Sequence, residues 1–270
     1  MTEVEDTARS SVLLFRAPKE GGIDSYDSEL SKHGFETHSI PVLGFNFINI
    51  DKLTTSLQDT ENYCAVVFTS QRAVEACEIA LQNEDSNKKI IQEKRQRLST
   101  SLPCYVVGES TGKMARECGF NPIGEDAGNA EKLAELIIEE LNDTEKAILY
   151  PCGNLRKDTL SLKLKQAGFT LNEIEVYETI RNKEINSRVK DYIDKKGTPE
   201  YVVYFSPSGV QCTENLISSN ILPVKSLKVV AIGPTTEKEL IKQHIPCYGV
   251  ARKPDPNGVL EVLTKDDIKK

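Results

Sequence analysis

The chain has 270 residues, 39% of them hydrophobic and 28% charged, and a formal net charge of −7. That length accommodates two domains of ordinary size, and an acidic balance disfavours nucleic acid as a partner. No apolar run reaches the roughly 20 residues needed to cross a bilayer, so no membrane contact is expected.

From the N-terminus, residues 1–10 are polar and acidic and read as a disordered leader, not a secretory signal. Short apolar, β-branched runs then begin at Val12, Val66, Val106, Ile148, Val202 and Val229. Each is followed by a polar loop and a helical stretch, as at residues 72–81, 110–118 and 236–243. Alternation of this kind specifies parallel sheets covered by helices. Three helical stretches end in Gly34-Phe35, Gly119-Phe120 and Gly168-Phe169. A glycine there takes the left-handed backbone that closes a helix, and the apolar residue after it packs back. Lys88, Lys89, Lys94, Arg95 and Arg97 form a basic run, broken by Glu93, inside an inserted-looking stretch at 84–97. It reads as a solvated helix face.

The chain also contains itself twice. Val12-Leu13-Leu14-Phe15-Arg16 returns as Ala147-Ile148-Leu149-Tyr150-Pro151, Val66-Val67-Phe68-Thr69-Ser70 as Val203-Tyr204-Phe205-Ser206-Pro207-Ser208, and Val106-Val107-Gly108-Glu109-Ser110-Thr111 as Ala231-Ile232-Gly233-Pro234-Thr235-Thr236. A duplicated α/β half implies two similar lobes with a ligand cleft between them. Two extended segments, 42–45 and 174–180, occupy matching places and read as paired connecting strands. One lobe is then residues 46–173, and the other combines 11–41 with 181–265. Two lobes in sequence, joined once near residue 144, is the alternative.

In open α/β sheets, ligands sit beyond the carboxyl ends of the strands. Standing there are Arg16, Thr69-Ser70, Gly108 to Thr111, Gly153-Asn154, Ser206-Pro207-Ser208 and Gly233-Pro234-Thr235-Thr236. Hydroxyls that open helices cap them, and the free N–H groups nearby bind anions. Six such ends in one duplicated chain point to an anion-rich ligand. The catalytic motifs of other classes are missing: there is no phosphate loop, no Gly-x-Gly-x-x-Gly and no Gly-x-Ser-x-Gly elbow. His33, His38 and His244 have no acidic partner at a useful spacing, and Glu109 is a strand-end carboxylate that could act as a base. The seven cysteines are scattered, without a Cys-x-x-Cys pair, which argues against disulfides and zinc and for a reducing cytosol. No metal or cofactor is expected.

With the repeat and the hydroxyl-bearing loops in view, the chain resembles uroporphyrinogen-III synthase, most of all its animal form. The likeness runs from Val12 to Leu263. It rests on Phe68-Thr69-Ser70-Gln71-Arg72-Ala73-Val74-Glu75-Ala76, Gly128-Asn129-Ala130-Glu131-Lys132-Leu133-Ala134-Glu135, Pro151-Cys152-Gly153-Asn154-Leu155, Val176-Tyr177-Glu178-Thr179, Phe205-Ser206-Pro207-Ser208-Gly209 and Ala231-Ile232-Gly233-Pro234-Thr235-Thr236. Each motif alone is soft; their order and spacing are specific.

The resemblance implies two flavodoxin-like lobes joined by a two-stranded ladder, in a monomeric, cytosolic, cofactor-free lyase of haem synthesis. Its substrate is hydroxymethylbilane, a linear tetrapyrrole with eight carboxylates that is received from hydroxymethylbilane synthase. Its product is uroporphyrinogen III, closed with ring D inverted and water lost. The uncatalysed reaction closes to the uninverted isomer I, so the protein's task is positioning and modest acid help. The resemblance places Tyr177 against the leaving hydroxyl as its proton or hydrogen-bond donor. Thr111 and Thr236 become equivalent carboxylate-binding threonines, with Ser70, Ser206, Ser110, Thr235, Ser208, Gly153 and Asn154 beside them. Arg72 and Lys228 match basic residues near the cleft, and Arg16 stands where animal relatives have lysine. A non-catalytic tetrapyrrole or anionic-ligand binding protein of the same fold is the alternative reading. A transferase for a phosphorylated or sugar substrate is a third.

Overall fold

The apolar runs pair as parallel strands under amphipathic helices in a computed structural model that describes residues 10–19, 22–83, 88–142 and 145–265. Residues 1–9 of the expected leader, and 84–87 of the inserted-looking stretch, lie outside the described residues. In chain order the first elements are β1 (Ser10–Phe15), α1 (Ser25–Lys32), β2 (Phe35–Ser39), β3 (Leu43–Phe47) and α2 (Ile50–Gln58). There follow β4 (Tyr63–Phe68), α3 (Gln71–Asn83), α4 (Lys88–Ser101), β5 (Cys104–Val106), α5 (Glu109–Glu117), β6 (Pro122–Ile123) and α6 (Ala130–Glu140). Next come β7 (Ala147–Gly153), α7 (Thr159–Gln166), β8 (Leu171–Arg181), α8 (Ile185–Lys196), β9 (Tyr201–Tyr204), α9 (Pro207–Cys212) and α10 (Glu214–Ser218). The chain closes with β10 (Lys228–Ala231), α11 (Pro234–Lys242), β11 (Gly249–Val250) and α12 (Pro256–Leu263).

Contacts divide the chain into two units: Met1–Gly44 with Ile180–Lys270, and Phe45–Thr179. The first holds a sheet of order β11-β10-β9-β1-β2, in which β1 lies between β2 and β9. The second holds the order β8-β7-β4-β5-β6, with β3 beside β8. In both, the chain moves outward from a central pair, β1 and β9 or β7 and β4, in opposite directions. The carboxyl ends of those two pairs are topological switch points, where side chains of adjacent strands diverge and leave a crevice.

Alternation along the strands sorts side chains to two faces. In the second unit Val66, Phe68 and Val106 face Leu53, Ala73, Cys77 and Leu98, while Ala65, Val67, Ile148 and Tyr150 face Leu133, Ile137 and Leu160. In the first, Leu13, Phe15, Val202 and Tyr204 face Val189, Val210 and Leu240; Val12, Leu14, Val203 and Val230 face Leu30, Val259 and Val262. Burying each such side chain contributes about 1.5–3 kcal/mol before chain entropy is set against it. The glycine stops act as expected. Gly34, Gly119 and Gly168 have φ of 82°, 99° and 93°. The amides of Phe120 and Phe169 reach back to Ala115 and Leu164 oxygens at 2.9 and 3.0 Å, and both phenylalanines are buried.

Three expectations are corrected. The run from Val106 is not a strand start: β5 is Cys104–Val106 and ends there, with the Val107 N–H making the last ladder bond, to the Phe68 oxygen at 3.1 Å, before α5 begins at Glu109. The second connecting segment is part of a longer strand, since β8 pairs with β7 from Leu171 to Tyr177 before continuing to Arg181. The basic run is not wholly solvated. Arg95 pairs with Glu78, Arg97 donates to the Gln58 oxygen at 2.6 Å, and Leu98 is buried between them and the core.

Candidate functional site

In the second unit the switch point carries a pocket of about 320 Å³ at the ends of β4 and β7, with Thr69, Ser70, Tyr150, Gly153, Arg156 and Tyr177 among its lining. The Tyr177 phenol donates to Ser70 Oγ at 3.1 Å. The same Oγ accepts the Arg72 amide at 3.1 Å and so caps the start of α3, which leaves Ser70's own proton for a ligand. Thr69 Oγ1 and Tyr150 Oη lie 3.2 Å apart, and burial pushes the Tyr150 phenol up despite that bond. The ring of Tyr177 rests on Gly153. A β-carbon at that position would stand 2.4 Å from Tyr177 Cζ, so only glycine leaves the phenol its place. Phe45 meets Tyr177 edge-on, centroids 5.9 Å apart, and the Arg72 guanidinium lies 4.7 Å from the Phe45 centroid while bonding Glu75 at 2.6 Å.

Thr111 stands in the first turn of α5, whose N-cap is Gly108 with no side chain to offer. Thr236 stands in the first turn of α11, capped by Gly233 with Pro234 after it. The two threonines are 4% and 1% exposed, and neither hydroxyl has a partner among the described residues. Neither oxygen is among the buried polar atoms left without a partner in the described residues, so each hydroxyl reaches the surface at the start of its helix, where helix-start donors can meet a ligand carboxylate. Ser110 and Thr235, immediately before them, are exposed.

The first unit's switch point holds Arg16 and the start of α9. The Arg16 guanidinium lies 4.7 Å from the Tyr26 centroid and 5.3 Å from that of Phe205, and bonds Asp24 at 2.9 Å. Burial works against the Asp24 carboxylate, but amides of Lys19 and Tyr26 and the Arg16 charge hold its pKa below the usual range. Ser206 accepts the Gly209 amide at 3.1 Å and lies 2.9 Å from Ser208 Oγ, so its oxygen is engaged in capping.

The structure thus brings Ser70, Gly153 and Tyr177 together, with Arg72 joined to them through Phe45, and it groups Ser206 with Ser208. Two of the expected ligand groups have partners within the fold. Asn154 donates its backbone N–H to Tyr177 O at 3.1 Å and accepts the Thr179 N–H at its side-chain Oδ1 at 3.0 Å, which leaves its Nδ2 without a partner among the described residues. Lys228 opens β10 at the amino end of its strand, opposite the hydroxyl-bearing loops, because it pairs there with Glu200 and Tyr201 Oη, each at 3.1 Å. It is a structural residue of the sheet, not a companion of Thr236. Sequence reasoning passed over Phe45, Tyr150, Arg156 and Lys157. Phe45 was hidden in a segment read as a connector, and Tyr150 in an apolar strand. No metal-ligating cluster occurs among the described residues, and no helix among them is long and apolar enough to cross a membrane.

The sequence model of the family described as uroporphyrinogen-III synthase HemD matches residues 24–261. The chain is 32% identical over 261 residues to uroporphyrinogen-III synthase of Saccharomyces cerevisiae, covering 89% of this chain and 91% of that protein. It is 29% identical over 261 residues to that of Schizosaccharomyces pombe, covering 95% and 97%. Among solved structures, uroporphyrinogen-III synthetase from Helicobacter pylori aligns with a TM-score of 0.52 at 17% identity, over 95% of this chain and 99% of the other, a likeness of fold. With most of the chain matched in sequence, and with the two α/β units that the repeat announces, this chain belongs to the uroporphyrinogen-III synthase family.

Proposed function

We propose that the chain cyclises hydroxymethylbilane to uroporphyrinogen III, inverting ring D and releasing water. Family membership supplies the reaction, and the observation that carries it to named atoms is the Tyr177–Ser70 hydrogen bond in the second unit's pocket. Loss of hydroxide from the substrate's hydroxymethyl carbon needs a proton at the departing oxygen. In our reading the Tyr177 phenol turns from Ser70 to that oxygen and donates as the C–O bond breaks, so that water leaves. Ser70, which keeps its own proton, then donates to the phenolate and steadies it. The azafulvenium ion left behind is attacked by ring D, and the spiro intermediate opens and recloses with ring D reversed. The proton given up on closure restores the phenol, so no net acid is consumed. The rearrangement belongs to the pyrroles; the protein orients them.

Thr111 and Thr236, with the open amides of α5 and α11, are assigned to substrate carboxylates. Ser110 and Thr235 are assigned supporting contacts, and Arg16 and Arg72 offer guanidinium N–H donors at the two switch points. Because Arg16 and Arg72 are each stacked on an aromatic ring and paired to a carboxylate, they are held for a ligand at small entropic cost. The chain acts in this reading as a cytosolic monomer without cofactor, receiving its substrate from hydroxymethylbilane synthase. The test is a coupled assay in which porphobilinogen passes through hydroxymethylbilane synthase with and without this chain, and the oxidised products are separated by isomer. A shift of the product from isomer I to isomer III supports the reading; isomer I alone, from folded protein, refutes it.

A further inference from the structure

Between β7 and α7, residues 154–158 alternate between anchored and open side chains. Asn154 is tied by its backbone N–H to Tyr177 O and by its side-chain Oδ1 to Thr179 N. Arg156 is tied by Nε and Nη2 to Glu173 at 3.1 and 2.7 Å and by Nη1 to Glu175 at 2.9 Å. With two carboxylates on one guanidinium, Arg156 has no charge left to offer an anion. The residues between and after these anchors are otherwise placed. Leu155 is 73% exposed although apolar. Lys157 is exposed and has no ion pair or hydrogen bond among the described residues. Both line the 320 Å³ pocket that holds Tyr177 and Ser70.

An exposed leucine and an unpaired lysine on a loop fixed on either side of the leucine have no structural task in the fold. We propose that Leu155 and Lys157 form a substrate subsite, in which Leu155 covers the face of one pyrrole ring and Lys157 takes a carboxylate on that ring's side chain. The ligand class this pair fits is a flat apolar ring carrying a short anionic arm, and the anchors at Asn154 and Arg156 are positioning residues for it. The inference rests on the reading above, since the pocket is the one containing Tyr177, and it adds the residues that hold the reacting end of the substrate against that phenol.

The experiment uses the full chain and two readouts: the Kd for uroporphyrin III, an octacarboxylate probe followed by its own absorbance, and KM and kcat in the isomer assay. Lys157→Gln should raise Kd and KM about five- to tenfold with kcat nearly unchanged, as loss of one charge-assisted hydrogen bond does. Lys157→Arg should restore both to within about twofold, and added salt should weaken wild-type binding more than that of Lys157→Gln. Leu155→Asp should raise Kd further by placing a like charge beside the carboxylate. Lys163→Gln, whose lysine is paired with Glu131 and Glu135 on the surface, is the control and should change neither. Unchanged Kd and KM in Lys157→Gln and Leu155→Asp would overturn the subsite while leaving the synthase reading intact. Wild type that binds uroporphyrin III with this pattern, yet forms no isomer III, would support the subsite and refute the reaction. Wild type that does not bind the probe would overturn the subsite.

Discussion

At the scale of single residues, the contact between Gly153 and Tyr177 ties the chemistry to the backbone. The phenol lies where a β-carbon on residue 153 would be 2.4 Å from its Cζ, so Gly153→Ala must push the ring aside. Overpacking of that kind costs about 1–3 kcal/mol, and thermal unfolding should register it as a lowered Tm. The larger effect should be on turnover, because a displaced phenol no longer meets the leaving oxygen. Tyr177→Phe isolates that chemistry: its isomer III rate should fall about a hundredfold, the usual reach of a lost general acid, with Tm nearly unchanged. Full turnover by Tyr177→Phe would remove the acid role, and full turnover by Gly153→Ala would remove the argument from placement. Thr111→Val and Thr236→Val should each lower kcat/KM about tenfold, since each deletes an open hydroxyl offered to a charged ligand. A loss at one threonine and none at the other would break their equivalence.

At the scale of elements, β8 is held beside its neighbours by ion pairs as well as by the ladder. Glu173 accepts from Arg156 and from Lys165, the latter at 2.6 Å. Burial opposes its charge, but those two cations hold its pKa below the ordinary 4.5. A carboxyl whose folded pKa is depressed contributes stability that is present above the unfolded value and is lost as pH falls through the folded one. Unfolding scans between pH 7 and 3 should therefore show Tm dropping below about pH 4.5, with a shallower drop in Glu173→Gln. Equal slopes in the two proteins would show that the pairs do not matter to stability. The elements also mark how far sequence can be read. Glycine stops and apolar runs were legible because backbone stereochemistry and burial act locally. The inward turn of Arg95 and Arg97, the amino-end placement of Lys228 and the tie of Asn154 to β8 were not, since each depends on a partner distant in sequence. Thr111 and Thr236 could be listed from the repeat, but the burial of the residues around hydroxyls that stay unbonded is a fact of packing.

At the scale of the whole molecule, the internal repeat is interchanged between the two sheets. β1 of the first copy pairs with β9 of the second, and β4 of the first pairs with β7 of the second. The two copies cut apart between residues 143 and 145 would each hold half of two unfinished sheets, with central strands left as edges. Fragments 1–143 and 145–270 should therefore be unfolded by circular dichroism and amide dispersion, whereas residues 43–181, which contain every strand of the second sheet, should fold alone. A folded 1–143 fragment would contradict the interchange. The claim that unites the three scales is that the chain directs ring closure and does not merely bind its product. It is tested most directly by mixing purified chain, over a range of concentrations, with freshly made hydroxymethylbilane and measuring the ratio of uroporphyrin isomers after oxidation. The account requires the isomer III fraction to rise with the amount of chain until isomer I is nearly absent. Isomer I throughout, at every concentration of folded chain, would contradict it.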